Sequence, residues 1–356
     1  MSRIRMQEIA AKAGVSLATV SRTIHSPHLV RPSTREHIRQ VMSEYRYVYN
    51  VTASDFSRRR SSVIGVIIPT TKGAIFSNST QIIQEKAQEK GFSLIIGNTG
   101  YEGDVESTLL RQFQERRLAG IILTGFAIGQ ESAVKEVVRS GIPCVVIWET
   151  LEDSSLSFVG FNNFTAAYSM TEYLIHLKHE RIGLILGPYT KVRRAKRRLE
   201  GYQAALNDNN LKFNPRLVIE KHPTLQEGKE AMQKLLSMRH PPTAVFAASD
   251  MLAVGALTAA REKGLRVPED ISVAGFDDID FAAFSDPPLT TVRVPASQMG
   301  ETAVEVLMEM IEGHSEEVKQ ISLDTELIVR GSCRRLDKNE ERKDRTNQLL
   351  QERRAL

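Results

Sequence analysis

From Val63 onward, apolar runs of five or six residues recur at intervals long enough to hold a helix: Val63 to Ile68, Phe92 to Gly97, Gly120 to Thr124, Pro143 to Trp148, Ile182 to Leu186, Ala244 to Ala248 and Ser272 to Phe276. Short continuous apolar runs are what strands covered on both faces require. The helical stretches between them, about ten to fifteen residues each, suit parallel crossovers. The pattern predicts two parallel sheets split near Phe161, that is, two Rossmann-like α/β lobes. A chain of 356 residues is also too long for one ordinary core.

The first sixty residues follow a different rule. They carry eleven Lys/Arg against four Asp/Glu, whereas the remainder carries 36 against 39, so a basic module precedes a nearly neutral body. Such a balance suits nucleic acid but also an ordinary solvated face. Met6 to Ala13 reads as a short helix with Ile9, Ala10 and Ala13 on one side, and Gly14 supplies a turn. Ser16 is placed to cap a second helix, Leu17 to Ile24, with Val15 and Val20 turned inward. Ser33-Thr34-Arg35-Glu36 reads as a capping box opening a third helix that buries Ile38, Val41, Met42 and Tyr45. Two short helices around a glycine turn, closed by a third, form a helix-turn-helix in a small all-α domain.

In that motif the start of the second helix enters the major groove, which puts Leu17, Ala18 and Arg22 at base edges. Arg22 can hold guanine O6 and N7 together, while Leu17 and Ala18 offer only apolar contact to thymine methyls. Ser16, Thr19, Ser21 and Thr34, with Arg35 and Arg39, are candidates for phosphate contacts.

In the body, ligands of open α/β sheets sit beyond the carboxyl ends of the strands. Those ends are rich in polar groups: Glu149 after Trp148, Ser249 and Asp250 after Ala248, Asp277 and Asp278 after Phe276. Arg194 and Arg198 lie four residues apart in KVRRAKRR, a run in which several of the charges are expected to face solvent. Carboxylates, a hydroxyl and guanidinium groups, with Trp148 or Phe76 for stacking, suit a polyhydroxylated ligand, and the arginines suit a sugar acid or sugar phosphate. Asp250 reads more simply as a helix cap and Asp278 as a turn residue.

The residues VSLATVSRTI and VRPSTREHI, then AVFAASDMLAVGAL, GLRVPEDISVAGFDD and PPLTTVRVP in that order, resemble the lactose-repressor (LacI/GalR) family along nearly the whole chain. The resemblance implies a periplasmic-binding-protein-like sensor behind the DNA reader and effector contacts at Glu149, Arg198, Ser249 and Asp277. It also implies a hinge helix in the minor groove using Asn50, Ala53 and Phe56, where Phe56 replaces the usual leucine and Tyr49 a usual proline. Ser249 stands where asparagine is common. VGFNNFTAA is similar to the gluconate-repressor branch. The expected organisation is residues 1–49 for DNA, 50–60 for the hinge, 61–161 with 293–322 for the first lobe, 162–292 with 323–333 for the second, and a charged tail at 334–356. The expected partners are a pseudo-palindromic double-stranded operator, a small effector and a second copy in a homodimer.

Other classes find little support. There is no phosphate-binding loop, no dinucleotide fingerprint, no zinc-protease pair and no nucleophile elbow, so neither an enzyme nor a bound cofactor or metal is expected. His176 and His179 read as dipole partners at a helix end. No apolar run approaches the ~20 residues a membrane helix needs. The start of the chain does not read as a secretory signal, and Cys144 and Cys333 read as structural thiols, so a cytoplasmic location and association with the nucleoid on DNA are expected. A periplasmic carrier would share the body, but the DNA reader opposes it.

Overall fold

The computed structural model describes residues 4–49, 61–150, 155–313 and 317–336. It divides into two compact units, 1–61 and 62–356.

The first unit contains α1 (Met6–Lys12), α2 (Leu17–His25) and α3 (Pro32–Glu44). Ile9, Ala10, Ala13, Val20, Ile38 and Val41 form its buried core, with Val15 and Met42 packed against it. Gly14 turns the chain at φ +63°, and the Ser16 hydroxyl accepts from the Thr19 amide at 3.2 Å, capping α2 as expected. Two expectations fail. Helix α3 begins one residue earlier, at Pro32, with Arg31 at the N-cap and no side-chain cap; proline at the first position presets the helical φ and has no amide to leave unpaired. Tyr45 is 39% exposed under the Lys12 ammonium, 4.0 Å from its ring centroid, and Tyr47 packs on the core instead. Tyr49 bonds the His25 ring nitrogen at 2.8 Å. Asn50, Ala53 and Phe56, and Arg58 to Arg60, lie outside the described residues.

The second unit begins with β1 (Val63–Ile68), α4 (Ala74–Glu89), β2 (Ser93–Asn98), α5 (Gly103–Glu115), β3 (Gly120–Thr124), α6 (Glu131–Arg139), β4 (Cys144–Ile147) and β5 (Ser157–Gly160). It continues with α7 (Asn163–His176), β6 (Ile182–Leu186), α8 (Arg193–Asp208), β7 (Val218–Glu220), α9 (Leu225–Leu236), β8 (Ala244–Ala247), α10 (Asp250–Glu262), β9 (Ser272–Ala274) and α11 (Asp280–Phe284). Strand β10 (Thr291–Arg293), α12 (Ala296–Glu312), β11 (Gln320–Ser322) and β12 (Glu326–Ile328) complete it. One parallel sheet runs β11-β5-β4-β3-β1-β2 and the other β7-β6-β8-β9, while β10 and β12 pair antiparallel. The apolar runs therefore form the strands of two covered parallel sheets. The missed strands, β5, β7, β10, β11 and β12, are only three or four residues long and carry no extended apolar run. The run expected to reach Phe276 ends as a strand at Ala274, after which isolated bridges join Ala274 to Thr290 and Asp277 to Arg293.

Close helix packing fixes the second sheet's cover. A Cβ added at Gly201 would lie 2.2 Å from the Phe164 carbonyl oxygen, and one at Gly255 would lie 2.1 Å from that of Leu225, so α7 meets α8 and α9 meets α10 backbone to backbone. The apolar face of α12 packs on α4 and on β3, β4 and β5, as its pattern predicts.

Two polar residues, Asp250 and His179, depart from their sequence readings. Asp250 is fully buried and does not cap α10. Its carboxylate accepts from Thr291 Oγ1 at 2.6 Å and from the Ile279 amide at 2.9 Å, tying the crossover segment to the second sheet. Asp278 is ion-paired with Arg293 and Arg330, at 2.8 and 2.7 Å. His179 is 1% exposed between Thr243 Oγ1 and the Arg334 carbonyl, and burial holds its pKa down at about 4, so it is neutral and does not serve the helix dipole. Of the tail, Arg334 to Leu336 are described and dock on the second sheet's edge; residues 337–356 lie outside. Among the described residues both cysteines are free, and no helix is long and apolar enough to cross a membrane.

Candidate functional site

The carboxyl ends of both sheets face a single cleft, and a cavity lies in it. It is lined by Phe76 from α4, Trp148 after β4, Arg194 and Arg198 from α8, Ser249 after β8, and Asp277.

Helical spacing explains the arginines. Residues 194 and 198 share one face of α8 and are both buried, whereas Lys196 is exposed and Arg197 pairs with Glu200 at 2.8 Å. Arg198 donates from Nε to Asn163 Oδ1 and from Nη1 to the Ala248 carbonyl, each at 2.8 Å, and its guanidinium lies 3.8 Å from the Phe276 ring centroid. Burial lowers its pKa to about 10, still far above neutrality. Arg194 donates from Nη1 to the Thr124 carbonyl at 3.0 Å and lies over Phe76. Across from them, burial raises Asp277 to about pKa 6 against the attraction of Arg198 and a hydrogen bond from Ser249. Asp277 adopts φ +118°, a conformation rare for an L residue, and lines the cavity.

Trp148 sits at φ +75° with its ring edge-on to Phe76 at 5.1 Å. Its buried indole Nε1 has no hydrogen-bond partner among the described residues. A buried donor left unpaired is costly, so an acceptor on a bound molecule is its natural complement. Glu149 departs from expectation. It lies behind the lining, accepts from the Phe126 amide at 3.2 Å and faces Arg193 at 3.5 Å.

Two residues were missed by sequence reasoning. Tyr101 lines the cavity just past the end of β2 at φ +69°, and Asn163 joins the lobes' strand ends by donating to the Trp148 carbonyl at 2.8 Å while accepting from Arg198. The strand-end rule could have found Tyr101, since it follows a predicted strand. Asn163 is visible only once α7 is known to start there.

On the other unit, Leu17, Ala18 and Arg22 form an exposed face at the start and middle of α2, with Leu17 44% exposed. Thr19, Ser21 and Thr34 flank it half-buried. Arg35 is partly engaged, donating to the Pro27 carbonyl at 3.4 Å.

These features agree with known proteins. Residues 5–50 match the model for bacterial regulatory proteins of the lacI family, and residues 171–333 match a periplasmic binding protein-like domain. The chain is 35% identical over 331 residues to the HTH-type transcriptional repressor CytR of Escherichia coli (strain K12), covering 93% of this chain and 96% of that protein. Its fold is similar to the lac repressor dimer bound to operator and the anti-inducer ONPF, with a TM-score of 0.80, 26% identity, and coverage of 94% of this chain and 100% of that one. It is also similar to a complex of the transcriptional regulator CelR with cellobiose, with a TM-score of 0.68, 28% identity, and coverage of 93% and 100%. With a helix-turn-helix in one unit, a lined cavity between two parallel sheets in the other, and a repressor aligned over almost its entire length, the chain belongs to the lacI family of bacterial regulatory proteins.

Proposed function

We propose that this transcriptional repressor reads a pseudo-palindromic operator as a homodimer, and that a sugar acid, sugar phosphate or sugar bound between its sensor lobes switches its affinity for DNA. The observation that carries the effector class is the charge of the cavity. Two buried guanidinium groups face one carboxylate that burial has raised to about pKa 6, leaving an excess of positive charge and the unpaired Trp148 donor. An anionic group among hydroxyls matches that set. The gluconate-like segment around Asn162 and Asn163 favours a sugar acid, and the cellobiose complex of a structural relative favours a carbohydrate.

The effector acts by binding one arrangement of the lobes better than another, since only differential affinity shifts an equilibrium. Leu17, Ala18 and Arg22 read bases in this account, with Ser16, Thr19, Ser21, Thr34 and Arg35 on phosphates and the 50–60 segment in the minor groove. Ile95 and Ile96 on the edge strand β2 and Phe281 and Phe284 on α11 are large exposed apolar side chains, and they support pairing with a second copy. Phe284, 84% exposed, is the sharpest test: Phe284→Asp should shift sedimentation from dimer to monomer, and an unchanged dimer would reject that surface.

Thermal denaturation with gluconate, glucose 6-phosphate and neutral sugars tests the effector class. A ligand at 100 times its Kd should stabilise the folded protein by ~2.7 kcal/mol. The account expects an anionic carbohydrate to do so in the wild type and not in Arg198→Ala. Stabilisation that persists in Arg198→Ala would contradict this placement.

A further inference from the structure

The seam between the lobes is built around two buried carboxylates. Glu106 on α5 accepts from the Ala127 amide with both oxygens, at 3.1 and 3.2 Å, and Glu149 after β4 accepts from the neighbouring Phe126 amide at 3.2 Å. These acids fix the strip of first-lobe chain that touches the second lobe. Ala127 bridges Val192, and the Ile128 amide donates to the Lys191 carbonyl at 2.9 Å. Both carboxylates are at most 5% exposed, and Glu149 Oε2 has no hydrogen-bond partner among the described residues. The packing is tight: a Cβ at Gly125 would stand 2.8 Å from Arg194 Nη1 and 3.1 Å from Glu149 Oε1.

We propose that this seam is a site for a second ligand, the proton, and that closing the lobes takes up protons at Glu106 and Glu149. The site lies behind the effector cavity, and the proposal needs no particular effector.

The charged groups facing the pair are Arg193 and Arg194 from α8, with Glu131 near Arg193. Tyr101 lies beside Arg194 with its hydroxyl pushed up to about pKa 12, and His222 stacks on the Tyr101 ring at 5.7 Å. Lys191 pairs with Glu102 at 2.6 Å at the rim. Burial is the largest influence on both acids. It raises each from an ordinary 4.5 to about 7, and the arginines and amide hydrogen bonds only partly offset it.

The sign follows from linkage. Lobe separation admits water and returns the acids toward 4.5, so the closed form is the one with raised pKa. Its advantage is complete below 4.5, declines as pH rises to about 7, and is then constant. Within that window each acid changes the closed-to-open ratio by up to about tenfold per pH unit.

The chain has one tryptophan, and Trp148 lies at the cleft, so its lifetime-corrected acrylamide quenching reports closure. For the full-length protein without ligand, quenching should rise several-fold between pH 5 and 7 and level off above pH 8. Glu106→Gln and Glu149→Gln, which mimic the protonated acids, should each flatten the rise, and the double variant should lose the greater part of it. Asp277, raised by burial to about 6, titrates in part of the same window and accounts for the remainder, and His222→Asn should titrate like the wild type. A flat wild-type profile, a rise in protection with pH, an unaltered profile in the double glutamine variant, or loss of the response in His222→Asn would each overturn the proposal. The wild-type titration decides even if a variant fails to fold, and loss of effector binding in the separate thermal assay bears on the cavity alone.

Discussion

Trp148 combines a left-handed backbone, a buried ring and an indole N–H with no partner among the described residues, which is an arrangement that stores cost until an acceptor arrives. Trp148→Phe keeps the aromatic wall and removes the donor. Titration calorimetry should show effector affinity reduced by about 1–1.5 kcal/mol, with the midpoint of the unliganded protein unchanged or higher. Equal affinity would mean Nε1 meets no ligand atom. Arg198 is held from three sides, by Asn163, Ala248 and the Phe276 ring, so its position is set before ligand arrives. The arginine pair was legible because spacing of four on a helix puts two side chains on one face. Glu149 was misread for a related reason: a strand-end position fixes where a backbone stops, not which way its side chain turns. Here the Phe126 amide and Arg193 draw it behind the cavity. Tyr101 escaped because the strand-end rule was applied only to carboxylates and a serine hydroxyl, although Tyr101 follows a predicted strand and lines the cavity.

At the scale of elements, the helix-turn-helix was readable because three local signals agree: Gly14 at positive φ, Ser16 as cap, and apolar residues at helical spacing. Ser16→Ala should lower the stability of the DNA-binding unit by ~1 kcal/mol, read from a denaturant melt followed by circular dichroism. No change would mean the cap contributes nothing. The start of α3 was misplaced because two signals competed, and proline at the first turn outweighed a possible capping box. The short strands β5, β7 and β10 to β12 depend on neighbours far along the chain and left no periodic trace. Gly201 carries the strongest packing constraint between α7 and α8. Gly201→Ala should destabilise the sensor by ~3 kcal/mol or more, because its Cβ would strike backbone rather than a movable side-chain tip. A well-folded variant of near wild-type stability would show that the two helices can slide apart.

For the whole molecule, the alternation of apolar runs with helical stretches specified two covered sheets, and the covered sheets in turn determined where a cavity had to lie. What remained hidden was how the tail is tied down. His179 joins Thr243 to the Arg334 carbonyl as a neutral ring with pKa lowered from 6.5 to about 4. Unfolding lets it take a proton, so its contribution to stability is complete above pH 6.5 and declines as pH falls toward 4. His179→Gln should show less acid destabilisation across that window in thermal melts, and an identical pH profile would reject the assignment. The central claim is that α2 reads sequence. Duplexes selected from a random pool by the full-length protein, then measured by fluorescence anisotropy at physiological salt, test it most directly. The account predicts two half-sites of opposite sense bound ~1000-fold or more tightly than scrambled DNA, with Arg22→Ala losing ~1–3 kcal/mol and its preference at one base pair in each half. Equal affinity for selected and scrambled duplexes would contradict it.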